Sequence, residues 1–225
     1  MRFLAVGDIH GCFKALTTLA AFVPFRPEDT LITLGDYVNR GPDSCSVLNW
    51  LIAYQRRANL IPLRGNHEIM MLQAREGGDA LERWLHYGGD ATLASYSPFA
   101  DTGRLVDVLD AHWQFLEEET RGWFETPSHF FVHANAYPDC PLDEQPDFVL
   151  YWEAFNDPPP HQSGKVMVCG HTSQESGLPR SIGHAVCIDT WACGNGWLTC
   201  LDPRSGEYWQ ANQRGETRSS WLEGD

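Results

Sequence analysis

The chain has 225 residues, 43% of them hydrophobic, and a formal net charge of −14, so it has material for a sizeable core in one α/β domain spanning 1–225. An acidic balance of this size repels nucleic-acid backbones and anionic membrane surfaces, and neither is expected as a partner. The seven cysteines form no CxxC pair and no zinc-ribbon spacing, which reads as reduced core thiols in a cytoplasmic protein.

The N-terminal MRFLAVGDIHG enters a strand directly, without a leader pattern, and no window reaches the roughly 18 apolar residues of a membrane span. Strands are predicted over 3–7, 30–35 and 60–63, ending in Gly-Asp, Gly-Asp and Arg-Gly-Asn, with helices near 12–23 and 44–57 between them. Leu16, Leu19, Ala20 and Val23 share one helical face, and Val47, Leu48, Leu51 and Ile52 another. This βαβαβα order predicts a parallel sheet with ligands gathered at the carboxyl ends of its strands.

The stretch 68–125 reads as mainly helical, with segments at 68–75, 79–87, 91–96 and 104–119 and a break at Gly88-Gly89. It carries no metal-ligand cluster and is expected to flank or cap the sheet. Strands follow at 129–133, 166–170, 185–189, 197–201 and 207–210, the last two joined by the turn-forming Asp202-Pro203-Arg204-Ser205-Gly206. Pro158-Pro159-Pro160 reads as a rigid loop, and the last dozen residues read as a frayed tail.

Five turns carry the chemistry: GDIHG at 7–11, GDYVNRG at 35–41, GNHE at 65–68, FVHA at 131–134 and CGHT at 169–172. Each follows an apolar run, so the five are expected to converge on one edge of a sheet. Asp8 and His10 alternate at a strand end, and the flanking Gly7 and Gly11 allow a turn that brings both to one ion. Asp36 can bridge two ions through its two oxygens. Asn66 offers an amide oxygen, and His133 and His171 offer imidazole nitrogen. Mixed nitrogen and oxygen donors suit manganese, iron or zinc better than magnesium or calcium. Two such ions would lower the pKa of a bridging water and clamp phosphoryl oxygens for in-line attack. Arg40 is placed to grip a phosphate with its planar fork, and His67 to protonate a leaving oxygen. Glu68 reads as a helix-start residue complementing the dipole. His86, His112, His129, His161 and His184 belong to no paired motif and read as packed or exposed residues.

These turns resemble the signature of the calcineurin-like metallophosphoesterases, and the fuller GDxHG, GDYVxRG and RGNHE forms are similar to the phosphoprotein phosphatase family in its compact bacterial and phage members. WLHYGGDATLASY at 84–96, FVHANAYPDCPLDEQ at 131–145, GHTSQESG and HAVCIDT spread the likeness over most of the chain. The resemblance implies a β-sandwich flanked by helices and two divalent metal ions, with manganese expected. It implies that Asp8, His10 and Asp36 hold the first metal and that Asp36, Asn66, His133 and His171 hold the second. It gives Arg40 the phosphate and His67 the role of general acid.

Two positions depart from the family pattern. Asn39 stands where the family has an acid that accepts a hydrogen bond from the GNHE histidine; an amide oxygen can still accept that bond, without the charge that raises the His67 pKa. Tyr151-Trp152-Glu153-Ala154-Phe155 lacks the arginine that family members place shortly after this tryptophan. Neither Arg64 nor Arg180 is assigned in its stead, which leaves the phosphate grip mainly to Arg40 and the metals. The leading expectation is a phosphatase acting on phosphoserine or phosphothreonine in proteins, by direct attack of a metal-bound water. A dinucleoside polyphosphate hydrolase is the alternative, and a weakly active phosphoprotein-binding module ranks below both. Preference for serine or tyrosine phosphoesters stays open.

Overall fold

The computed structural model describes residues 2–97 and 103–222. Strands β1 (Phe3–Val6), β2 (Thr30–Thr33) and β3 (Asn59–Pro62) alternate with helices α1 (Phe13–Phe22) and α2 (Ser44–Gln55). The strands pair in parallel, Phe3 opposite Thr30 and Thr30 opposite Asn59, because each βαβ crossover returns the chain to the same edge. Asp43 starts α2 cleanly by accepting the Ser46 amide at 3.0 Å. Helices α3 (Asn66–Gln73), α4 (Gly78–Trp84), α5 (Asp90–Ser95) and α6 (Asp110–Gln114) follow.

The second sheet is built by β4 (Trp123–Glu125), β5 (His129–Val132), β6 (Val166–Cys169), β7 (Arg180–Ser181) and β8 (Ala185–Cys187), with α7 (Asp147–Trp152) crossing between β5 and β6. Its order is β4-β5-β6-β8-β7, with β5, β6 and β8 parallel. Then β9 (Leu198–Leu201), β10 (Glu207–Ala211) and β11 (Thr217–Trp221) return to the first sheet, giving β11-β10-β9-β1-β2-β3.

Period-two alternation decides what each sheet face buries. Ala5, Ile32 and Leu34 from one sheet meet Phe131, Val168 and Val186 from the other between the layers. On the outer face of the first sheet, Leu4, Val6 and Leu31 pack with Leu16, Leu48 and Trp84 of the helices. On the outer face of the second, Phe130, Val132 and Met167 pack with Leu150 and Tyr151 of α7. The architecture is therefore the expected β-sandwich flanked by helices. No helix among the described residues is long and apolar enough to cross a membrane, and all seven cysteines are free.

Three expectations are corrected. The five motif turns do not share one sheet edge: three follow β1, β2 and β3, and two follow β5 and β6, so they meet at one end of the sandwich from both sheets. The single helix expected over 104–119 is broken. Asp107 accepts the Arg104 amide at 2.9 Å and closes a short turn, after which Val108 and Leu109 are extended, with ψ of 130° and 139°, before α6 begins. The frayed tail contains β11. Its side chains are mostly exposed, but it pairs with β10 over five residues, and Arg218 anchors it by lying 4.3 Å over the Trp197 ring and donating to Gln210 Oε1 at 2.6 Å.

One buried carboxylate joins the second and third turns. Glu68 accepts the amides of Asp36 at 2.7 Å, Tyr37 at 2.8 Å, Val38 at 3.3 Å and Gly65 at 2.8 Å. The Gly65 bond is the reach-back half of a capping box, where the N3 acid satisfies the amide at the helix entrance. The other three make Glu68 the scaffold of the Asp36 loop, a larger role than dipole complementation. In Glu68→Gln one oxygen still accepts, but the NH2 that replaces the other faces backbone amides it cannot accept from, and each orphaned buried donor costs about 1–3 kcal/mol. We expect a loss of at least about 2 kcal/mol in urea unfolding; a wild-type midpoint would refute the clamp.

Candidate active site

Backbone strain marks the site. Among the described residues, seven non-glycine positions have positive φ, and five of them are His10 (45°), Asp36 (51°), Asn39 (72°), Arg40 (68°) and His171 (63°), all expected site residues. Left-handed backbone at such residues costs free energy and persists only where surrounding contacts hold it. At the first turn, His10 and Gly11 (φ 61°) make the reversal. Gly7 serves a different purpose from the one expected. A Cβ there would collide with the Ile188 carbonyl oxygen, so Gly7 lets the two sheets approach.

The turns bring the expected donors together. His10, Asp36 and His67 have donor atoms within 4.8 Å of one another, as do Asp36, His133 and His171. Asp36 belongs to both groups, with Oδ2 at 3.4 Å from His10 Nε2 and Oδ1 at 3.5 Å from His133 Nε2. Asp8 lies beside them with its carboxylate accepting the His171 amide at 3.1 Å. Asn66 Oδ1 is 3.0 Å from His133 Nε2.

Three histidines are aimed by the same device. His10 Nδ1 donates to Val38 O at 2.9 Å, His133 Nδ1 to Leu34 O at 2.8 Å, and His171 Nε2 to Trp152 O at 3.2 Å. A carbonyl only accepts, so each bond fixes the tautomer and turns the other nitrogen's lone pair into the carboxylate pool. Outer hydrogen bonds of this kind are how proteins orient imidazoles for metals. Between His133 Nε2 and Asn66 Oδ1 two lone pairs then face each other, an arrangement that a cation satisfies.

The electrostatics agree. Asp8, Asp36, Glu68 and Asp189 are all buried in this region. Burial, reinforced by mutual repulsion, pushes Asp8 well up, Asp36 up to about 7 and Glu68 up to about 8, and it also raises Asp189. Burial pushes His10 down to about 3, His133 to about 4 and His171 to about 3. Neutral imidazoles beside carboxylates short of positive charge form a donor set that fits divalent ions of the manganese, iron or zinc kind.

Arg40 stands at the rim, its side chain 3.1 Å from His10 Nε2 and its amide 3.2 Å from the Gly88 carbonyl. The other two arginines near the motifs are engaged elsewhere. Arg64 donates to Thr120 Oγ1 and to the Leu116 and Glu117 carbonyls, and Arg180 pairs with Asp157.

The Asn39 amide is oriented opposite to expectation. Its oxygen accepts from Thr92 Oγ1 at 3.0 Å, while its nitrogen lies 2.7 Å from His67 Nδ1. Asn39 therefore donates to His67, and the ring proton sits on Nε2, 3.9 Å from Asp36 Oδ2. Burial, with the nearby cationic groups, pushes the His67 pKa far down.

Two features escaped the sequence reading. Thr92, buried in α5, sets the Asn39 amide. Asp189 joins the buried acids from the end of β8; it lies within the HAVCIDT stretch, where it closes an apolar run and was given no role. The remaining histidines are packed or exposed: His86 is exposed, and buried His112 bonds Tyr96 at 2.6 Å and Asn49 at 3.1 Å. A cavity of about 710 Å³ opens at the other end of the sandwich, by the starts of β1 and β5. There Arg2, Arg26 and Arg204 offset Glu28, Asp29 and Asp202.

Residues 1–188 match the family model described as calcineurin-like phosphoesterase. A symmetrical bis(5'-nucleosyl)-tetraphosphatase of Chromobacterium violaceum is 33% identical over 145 residues, 64% of this chain and 47% of the relative. A serine/threonine-protein phosphatase 1 of Salmonella typhimurium is 43% identical over 86 residues, 38% of each. The chain thus spans less than half the length of these relatives. Among solved structures, one provisionally described as a diadenosine tetraphosphatase superposes with a TM-score of 0.65 at 21% identity, covering 100% of this chain and 95% of that one. A cold-active protein-tyrosine phosphatase of Shewanella superposes with a TM-score of 0.62 at 18% identity, covering 97% and 80%. With its sandwich, its turns and this match over most of its length, the chain belongs to the calcineurin-like phosphoesterase family.

Proposed function

We propose that the chain is a hydrolase of phosphate esters that works with two divalent ions, held by Asp8, His10 and Asp36 on one side and by Asp36, Asn66, His133 and His171 on the other. The observation that carries this reading is the set of three histidines tied by backbone carbonyls so that their free nitrogens converge with buried carboxylates on Asp36. When bound, the ions supply Lewis acidity that activates water near neutral pH and offsets phosphoryl charge; manganese is the metal we expect. Arg40, exposed at the rim, grips the incoming phosphate with its fork of donors. As an imidazolium His67 delivers its Nε2 proton to the leaving oxygen, and in the neutral form favoured by Asn39 its Nε2–H donates a hydrogen bond there.

For the substrate, the names of the relatives support a dinucleoside polyphosphate better than the protein phosphoester put first on sequence grounds. Two observations favour the protein reading as second. The Salmonella relative is named a protein phosphatase, and Arg64 and Arg180 are both engaged away from the site, so a single guanidinium is matched to a single phosphoryl group. With manganese present, turnover of diadenosine tetraphosphate, a phosphoserine peptide and p-nitrophenyl phosphate separates the two. Tetraphosphate is expected to turn over fastest, and a faster phosphopeptide reverses the order. Asp36→Asn is expected to lower all three rates by more than about a hundredfold, since even outer-sphere changes at metal sites cost about 10–100-fold. Wild-type rates in a folded Asp36→Asn variant would sink the metal mechanism.

The Asn39 amide yields a pH prediction. A carboxylate at that position accepts only, so in Asn39→Asp the His67 Nδ1 must carry a proton. The added charge then favours the imidazolium and raises a pKa now held down by burial back toward the usual value of about 6.5. The acid form of His67 becomes populated as pH falls through that value. Several-fold higher turnover between about pH 6 and 7 is expected in the variant; superimposable pH–rate profiles would rule this out.

A further inference from the structure

We propose that Asp189 is a positioning residue for the metal centre: it touches no substrate, and its buried negative charge completes the charge balance that lets the site hold two divalent ions. It lies just after β8 and is 2% exposed. Its Oδ1 accepts the Trp191 amide at 3.0 Å and its Oδ2 accepts the Ser173 hydroxyl at 2.7 Å. Neither partner is charged. Among like charges near Asp8, Asp189 has the largest influence, ahead of Asp36, and Arg40 is the cation that acts on Asp189 in turn.

Asp8, Asp36, Glu68 and Asp189 are each buried; Glu68 accepts the Asp36 amide, and the Asp189 main chain lies against Gly7, next to Asp8. At one charge each the carboxylates match the four positive charges of two divalent ions, leaving Arg40 free to meet the phosphate. A buried charge without such compensation is costly, so the retention of a fourth acid with only neutral partners is accounted for by the ions. The main chain of Asp189 adds a second link. Its carbonyl accepts the Gln174 amide at 2.7 Å, and with the Ser173 bond this ties β8 to the loop that carries His171.

Asp189→Asn separates charge from geometry. The amide oxygen still accepts from Trp191 and the amide nitrogen can donate to Ser173 Oγ, so the loop connection stays while the charge goes. Ser173→Ala does the reverse. The measurement is Mn²⁺ binding to metal-stripped protein by titration calorimetry, with folding checked by circular dichroism, and Asp189→Ser as the second neutral variant should the asparagine variant not fold.

The inference rests on the two-ion reading, so the wild-type chain must bind two Mn²⁺; fewer sites overturn both. Given two sites, Asp189→Asn is expected to weaken binding about 10–100-fold, with Ser173→Ala close to wild type and Asp189→Glu recovering part of the loss. Wild-type affinity in Asp189→Asn would overturn the inference and leave the two-ion reading intact. A loss in Ser173→Ala as large as that in Asp189→Asn would also overturn it, by making loop placement the cause.

Discussion

The concentration of buried negative charge at one end of the sandwich is the constraint on which the rest of the site depends. Four carboxylates lie there out of solvent, and burial makes each one resist ionisation. Glu68 is the member whose charge is best met by the protein itself, through amides of the second and third turns. It thereby converts a charge problem into a scaffold. The loop holding Asp36 is drawn around the Glu68 carboxylate, and Asp36 itself becomes the group shared by the two histidine sets. Asp8 and Asp189 receive fewer donors, and their need for positive charge is what makes the site receptive to cations.

Much of this was legible in the sequence, and the boundary of what was legible has physical causes. Apolar runs ending in Gly-Asp, with a helical period between them, identify β1, β2, α1 and α2 because local propensity and burial agree there. The donors Asp8, His10, Asp36, Asn66, His133 and His171 were readable because each sits in a turn with a recognisable pattern. Asp189 was not. It follows an ordinary apolar strand and owes its place to the fold, which sets its main chain against Gly7, next to Asp8 and far away in the sequence. The orientation of the Asn39 amide was also beyond reach, since it is decided by Thr92, 53 residues further on. Strand β11 was missed for a different reason: a solvated edge strand buries little, so it shows no apolar alternation, and its order comes from pairing with β10 and from the anchor at Arg218.

The left-handed residues connect these levels. A regular continuation of β1 would keep Asp8 and His10 on one face but carry the backbone straight out past the strand ends of the other sheet. Strain at His10, Asp36 and His171 is what turns strand ends from both sheets inward, and the helices and the facing sheet hold that strain by packing. The site is therefore a property of the whole sandwich, since each strained turn is held in place by elements that follow other strands.

The anchoring of His10, His133 and His171 on main-chain oxygens has a consequence for divergence. Val38, Leu34 and Trp152 contribute only their carbonyls to these bonds, and every amino acid carries that group. Their side chains can change without altering the direction in which the imidazoles face, provided the backbone path is kept. Selection on substrate can thus rewrite the surroundings of the centre, including the residue whose carbonyl orients His171, while the chemistry at its heart is inherited intact.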